Sequence, residues 1–211
     1  MFGYPAIWEV DLDFDALSLQ YEFEAVHAEK LETVYERNDD WKGVTVFKAP
    51  SKLTLNGLPE LEKLVTKLGK QNVIGISYFN LDKNSKLHEH RDMNGNLLFG
   101  IVRIHIPIKT NDEAFMIIER VKYQLPIGSA WALDTSGLHA LANGSIDNRI
   151  HLVIDVKRAS ATQLLFPKWS LSVLLHLGAF VSIMVIKILR DLFLNPGSLY
   201  KRLKSKIKES F

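Results

Sequence analysis

The chain has 211 residues, 47% of them hydrophobic, and carries a formal net charge of +2 with no cysteine. Such a length holds one domain with a real core and a small appendage, and the balanced composition excludes a disordered chain. The small net charge offers little to a polyanion, so no nucleic acid partner is expected; the missing thiols exclude disulfides and leave nitrogen and oxygen as the donors for any metal.

The N-terminal stretch MFGYPAIWEVDLDFD has neither a basic start nor a long apolar run, so it does not read as a secretory signal. With the absence of cysteine, this makes a cytoplasmic location the expectation. Residues 15–37 show helix-like patches rich in acids. Asp39-Asp40-Trp41-Lys42-Gly43 reads as a turn before a strand at 44–47. Pro59 then opens a helix in which Leu61, Leu64, Val65 and Leu68 fall at helical spacing, with Gly69 as its stop.

From about residue 72 the period changes from helix to strand. Segments 73–79, 98–108, 114–119, 129–133 and 150–156 read as strands. Asn94-Gly95, Thr110-Asn111-Asp112, Pro126-Ile127-Gly128 and Asn143-Gly144 join them with turn chemistry. Many short strands without helical crossovers predict an antiparallel sandwich or barrel rather than a doubly wound sheet. The expected division is a domain over 1–158, its barrel core at about 72–158, and a helical, basic tail over 159–211.

Residues 169–186 form an uncharged run interrupted only by Ser170, Ser172, His176 and Ser182. A bilayer span needs about 20 apolar residues, so this run is borderline. From Lys187 onward, seven basic residues stand against two acidic ones, which suits an anionic cytoplasmic membrane face. A membrane helix, a helix packed on the barrel or in a dimer, and a substrate lid all compete. Membrane contact through 169–208, on the cytoplasmic face, is the favoured expectation.

The chemistry concentrates in His88-Glu89-His90-Arg91-Asp92. His90 and Asp92 are two apart and share a side. His139 follows a strand and a turn, and Arg149 comes ten residues later across Asn143-Gly144. Two imidazoles and one carboxylate suit a non-haem Fe(II) centre with positions left open for an anionic cosubstrate. Arg103-Ile104-His105 and Arg149-Ile150-His151 each alternate a cationic or polar residue with isoleucine. If those arginines point inward they need an anion, because a lone buried charge is costly; a guanidinium grips a carboxylate with two parallel bonds. If they point outward, the isoleucines make the core and the arginines are merely solvated.

Plainer readings stand beside these. His88 lacks the glutamate that a cupin-type metal site would place soon after His90. Glu89 and Arg91 are expected to point away from the site. His27 reads as a helical surface residue. His151 is as well explained by core packing as by a binding role, Asp134 by its turn, and Trp41 and Trp131 by the core. Asp155 is a candidate partner for one of the inward arginines.

The set His90-Arg91-Asp92, Arg103-Ile104-His105, Trp131-Ala132-Leu133-Asp134 leading to His139, and 149–155 resembles the aspartyl/asparaginyl β-hydroxylase family, in particular its proline cis-4-hydroxylase-like members. The likeness covers about residues 72–158. It implies a mainly β fold, a double-stranded β-helix (jelly-roll or cupin-like barrel), to which the periodicity adds N-terminal flanking helices and a C-terminal helical tail. It implies Fe(II), 2-oxoglutarate and O2, with His90, Asp92 and His139 as iron ligands. It assigns Arg149 to the distal carboxylate of 2-oxoglutarate, and Arg103 and His105 to the lining of the cosubstrate or substrate pocket. The implied activity is hydroxylation of an aliphatic C–H of an amino acid, peptide or lipid-linked substrate. Asp92 is present here, whereas some members have only the two histidines. The tail after Arg158 has no counterpart in that likeness. The competing reading is a cupin-like jelly roll that binds a sugar or lipid without 2-oxoglutarate; Arg149 is the residue such a module would not need.

Overall fold

The computed structural model describes residues 6–26, 28–35, 38–92 and 96–194. His27, the Asn94-Gly95 turn and the basic run 201–208 lie outside them. The chain divides into two compact units, Pro5–Lys168 and Trp169–Phe211 with Met1–Tyr4.

The larger unit is two antiparallel sheets. In chain order its strands are β1 (Ile7–Val10), β2 (Glu32–Tyr35), β3 (Asn38–Lys48), β4 (Val73–Leu81), β5 (Ser85–His90), β6 (Ile101–Lys109), β7 (Ala114–Ile118), β8 (Val121–Tyr123), β9 (Ala130–Leu133), β10 (His139–Asn143) and β11 (Arg149–Lys157). Seven form one sheet in the order β1-β9-β6-β11-β4-β3-β2, and four form the other in the order β5-β10-β7-β8. This is a jelly-roll-like arrangement. Its strands are not confined to 72–158, because β1, β2 and β3 complete the large sheet.

The centre of the large sheet has two buried faces with different contents. In-register partners share a face. Ile104 and Ile76 flank Ile154, while Ile106 and Tyr78 flank Leu152. All six are fully buried. Helix α1 (Ala16–Val26) covers this face, with the Phe23 and Tyr78 rings 4.9 Å apart. Helix α2 (Pro59–Leu68) buries Leu61, Leu64, Val65 and Leu68. The opposite face carries Arg103, His105, Arg149, His151 and Asp155, and it looks toward the small sheet. So the isoleucines do make a core, and the arginines beside them are also inside.

The start of α2 shows how the helices are fixed to one another. Pro59 occupies the first turn, where its missing N–H costs nothing. Leu58 in the capping position has no side-chain acceptor to offer. Glu22 of α1 supplies one instead, taking the N–H groups of Glu60 at 2.5 Å and Leu61 at 3.1 Å. Gly69 ends the helix at φ 77, where its N–H returns to the Thr66 carbonyl.

Two readings change: residues 39–43, expected as a turn, lie within β3, where Trp41, Lys42 and Gly43 pair with β4, and one predicted strand is shorter than expected. The segment 98–108 starts as a strand only at Ile101, because Leu97–Phe99 is a 3-10 turn. Asn96 accepts the N–H of Leu98 and Gly100 turns left-handed at φ 66, which ends the apolar run's local winding before the sheet begins. Helix α3 (Leu171–Leu194) belongs to the second unit and runs 24 residues.

Removing the borrowed cap isolates its contribution. Glu22→Ala is expected to lower the unfolding free energy by about 1–2 kcal/mol, measured by urea denaturation; an unchanged midpoint would show that α2 is held by its apolar face alone.

Candidate active site

Strand pairing builds the metal-type cluster. β5 and β10 run antiparallel, so the last residue of one lies opposite the first residue of the other, and His90 meets His139. Their ring centroids are 4.2 Å apart. Asp92, two residues past the end of β5, completes a group whose ligand atoms all lie within 4.8 Å of one another. The His90 Nε2 to Asp92 Oδ1 distance is 3.8 Å. The pairing shifts register between His139 and Leu141, a local irregularity of the kind that re-aims a side chain beside a site.

Both imidazoles are set by the same device. Each donates its Nδ1–H to the carbonyl two residues earlier, His90 to His88 at 2.8 Å and His139 to Gly137 at 2.9 Å. A carbonyl can only accept, so the proton sits on Nδ1 and Nε2 keeps its lone pair. Burial holds His139 below the usual histidine range; the bond to Gly137 works the other way, and nearby His90 adds to the lowering. The ring is therefore neutral at neutral pH, the form a metal needs. His88 contributes its carbonyl while its ring is exposed. The loop carrying Asp92 is tied to the 134–138 turn. The Asp92 N–H donates to the Thr135 carbonyl at 2.9 Å, and Arg91 donates to the Ser136 carbonyl and pairs with Glu119 at 3.5 Å. Asp134 serves that turn, accepting from the Ser136 N–H and hydroxyl.

Beside this cluster lies an unbalanced cation. Arg149, the first residue of β11, is 2% exposed. Its Nη2 donates to His151 Nδ1 at 3.1 Å, and its Nη1 has no partner among the described residues. Burial alone pulls the guanidinium down to about 9, so it is still charged at neutral pH. Since His151 accepts at Nδ1, its proton is on Nε2, which is also unpartnered; so is His105 Nδ1. The two rings stand edge to face at 5.7 Å. Burial, and then the Arg149 charge, hold both well below the ordinary histidine range. A fixed cation and two neutral imidazoles thus leave three polar atoms unmatched, and a carboxylate has the charge and acceptor oxygens to match them.

Arg103, expected to line the cosubstrate or substrate pocket, has all three of its nitrogens on carboxylates. Its Nε and Nη2 lie 2.8 and 3.0 Å from Asp155, and its Nη1 lies 2.7 Å from Asp92. Asp155 is therefore the partner of Arg103, which leaves Arg149 without a carboxylate among the described residues. Trp41 is core and stacks on Phe79 at 5.1 Å, but Trp131 is half-buried and donates to Ser129. The sequence did not single out His151 as the residue that braces Arg149. The signal was there in the alternation, since residues two apart on a strand share a face.

The Aspartyl/Asparaginyl beta-hydroxylase family model matches residues 9–159. None of the curated proteins compared matches the sequence. Among solved structures, the chain is similar to the carbocyclase SnoK from nogalamycin biosynthesis, described as non-haem and alpha-ketoglutarate dependent. The TM-score is 0.55 at 12% identity, over 73% of this chain and 80% of that one. A 2OG-Fe(II) oxygenase family oxidoreductase from Burkholderia pseudomallei gives 0.52 at 14% identity, over 73% and 85%. A prolyl-4-hydroxylase from Pseudomonas putida gives 0.50 at 12% identity, over 73% and 93%. These likenesses carry the fold, and the family match sets aside the non-catalytic cupin-like module. That match runs through every strand bearing the residues above: the chain belongs to the Aspartyl/Asparaginyl beta-hydroxylase family and is a hydroxylase of the 2-oxoglutarate- and Fe(II)-dependent oxygenase class.

Proposed function

We propose that this hydroxylase holds Fe(II) with His90, Asp92 and His139, anchors 2-oxoglutarate on Arg149, and hydroxylates an aliphatic C–H of an amino acid, peptide or lipid-linked substrate. The observation that carries the reading is the sealed guanidinium of Arg149, with no carboxylate pairing it among the described residues, close to a cluster of two imidazoles and an aspartate. When bound, Fe(II) with 2-oxoglutarate and O2 supplies the oxidant: one oxygen atom enters the substrate C–H bond, the other enters succinate, and CO2 leaves.

The chain's own residues prepare that chemistry. The carbonyls of His88 and Gly137 hold the two rings with Nε2 available, so the donors need no reorganisation. Asp92 contributes a single negative charge, which leaves the centre able to take an anionic cosubstrate. Arg149 and the Nε2–H of His151 offer donors to the far carboxylate. The burial of Arg149 and His151 strengthens that contact. His105 is buried and within electrostatic reach of both Arg149 and His139, which supports a place for it in the lining of the cosubstrate or substrate pocket.

The second unit supports a membrane location. Helix α3 has a mean hydropathy of 2.2 in its most apolar window, of which 17% is buried. Its 24 residues extend about 36 Å against a hydrocarbon core of about 30 Å. Leu174, Leu175, Ile186, Leu192, Phe193 and Leu194 are exposed along it. The basic sequence that follows suits anionic headgroups. A membrane attachment favours the lipid-linked class of substrate.

Anaerobic addition of Fe(II) and then 2-oxoglutarate to the folded protein is expected to give a visible charge-transfer band. His139→Ala should abolish the band. Arg149→Gln should weaken 2-oxoglutarate binding at least tenfold, the loss of a buried charge-assisted pair. Folded wild-type protein without the band would contradict the assignment.

The neutral imidazoles make stability depend on pH. His105 and His151 are depressed in the folded chain, so an unfolded chain binds more protons below its own histidine pKa of about 6.5. Their contribution is complete above pH 6.5 and is lost as pH falls, at about 1.4 kcal/mol per pH unit for each ring. His151→Gln is expected to flatten the slope of unfolding free energy between pH 6.5 and 5 by about one proton; an identical slope would contradict the burial argument.

Full-length protein is expected to sediment with membranes and to be released by detergent but not by salt. A chain ending at residue 168 should remain in the supernatant. Recovery of both chains in the supernatant would remove the membrane reading.

A further inference from the structure

Three strands place a charge relay beside the metal-type cluster. Gly75 on β4, Asp155 on β11 and Arg103 on β6 lie in register side by side. A Cβ at residue 75 would sit 3.4 Å from Asp155 Oδ2 and 3.6 Å from its Cβ. Asp155 takes two nitrogens of the Arg103 guanidinium, at 2.8 and 3.0 Å, and so fixes its plane. The remaining nitrogen reaches Asp92 Oδ2 at 2.7 Å. The other oxygen of Asp92, Oδ1, is the one that faces His90 Nε2 at 3.8 Å.

From this arrangement we infer that Arg103 is a positioning residue for Asp92. It clasps Oδ2 and presents Oδ1 to the cation held with His90 and His139, while Asp155 cancels its charge. The inference rests on the metal assignment above and gives Arg103 a task other than gripping the cosubstrate. All three of its nitrogens already sit on carboxylates. With Arg103 and Asp155 neutralising one another, Asp92 keeps its full negative charge for the metal. An arginine without Asp155 would instead spend its charge against the cation. The backbone is fixed independently, through the Asp92 N–H on the Thr135 carbonyl, so what Arg103 controls is the rotation of the carboxylate.

The test measures Mn(II) affinity without 2-oxoglutarate, by the electron paramagnetic resonance signal of the free ion. It then measures 2-oxoglutarate affinity of the Mn(II)-loaded protein. Arg103→Lys keeps the charge but cannot bridge two carboxylates. The double variant Arg103→Met with Asp155→Asn keeps the net charge of the wild type and removes the clasp. Both are expected to weaken Mn(II) binding by about 10- to 100-fold, with cooperative melting retained and the lysine variant less affected. Asp92→Ala sets the floor. Unchanged Mn(II) affinity in a folded variant, with 2-oxoglutarate affinity alone reduced, would overturn the inference by assigning Arg103 to the cosubstrate. Wild-type protein that takes up no Mn(II) would instead overturn the metal assignment itself.

Discussion

A guanidinium sealed away from water has to be answered by an anion, and that of Arg149 is not answered by the described protein around it. Its one contact is a neutral imidazole, and its Nη1 has nothing. Burying an unpaired charge costs several kcal/mol even after relaxation. A fold tolerates that cost in one obvious circumstance, when the missing anion arrives as a ligand. The neighbouring polar atoms on His105 and His151 are left open in the same small region.

The rest of the architecture serves that point. Helix α1 covers the outer face of the large sheet and holds α2 through Glu22, so the central strands can spend their inner face on polar residues and still be buried. The short strands β5 and β10 meet end to start, which brings together histidines far apart in sequence. The two bonds from Nδ1 to carbonyls solve the tautomer problem with backbone atoms alone. Two arginines on one face then play opposite parts. Arg103 is compensated inside the chain by Asp155, while Arg149 meets no carboxylate among the described residues and is the proposed anchor for 2-oxoglutarate.

Much of this could be read from the residues. The spacing of His90, Asp92 and His139 anticipated their meeting, because strand periodicity and antiparallel pairing turn such spacings into proximity. Pro59 and Gly69 bounded α2 as their backbone preferences require. What could not be read were the long-range partners. Nothing local tells which of two inward arginines Asp155 will meet; that depends on which strand lies beside β11. The cap on α2 comes from Glu22, on another helix. The turn at Leu97–Phe99 was hidden inside an apolar run that suits a strand equally well. Strands β1 and β2 are only four residues each, too short for a period to show.

The central claim is one of charge and place, and a crystal structure grown without oxygen, with Mn(II) and 2-oxoglutarate added, tests it most directly. The account expects anomalous scattering from one ion among His90, Asp92 and His139, and a carboxylate of the cosubstrate against Arg149 and His151. An ion bound elsewhere, or a cosubstrate that leaves Arg149 Nη1 still without an anion, would contradict it.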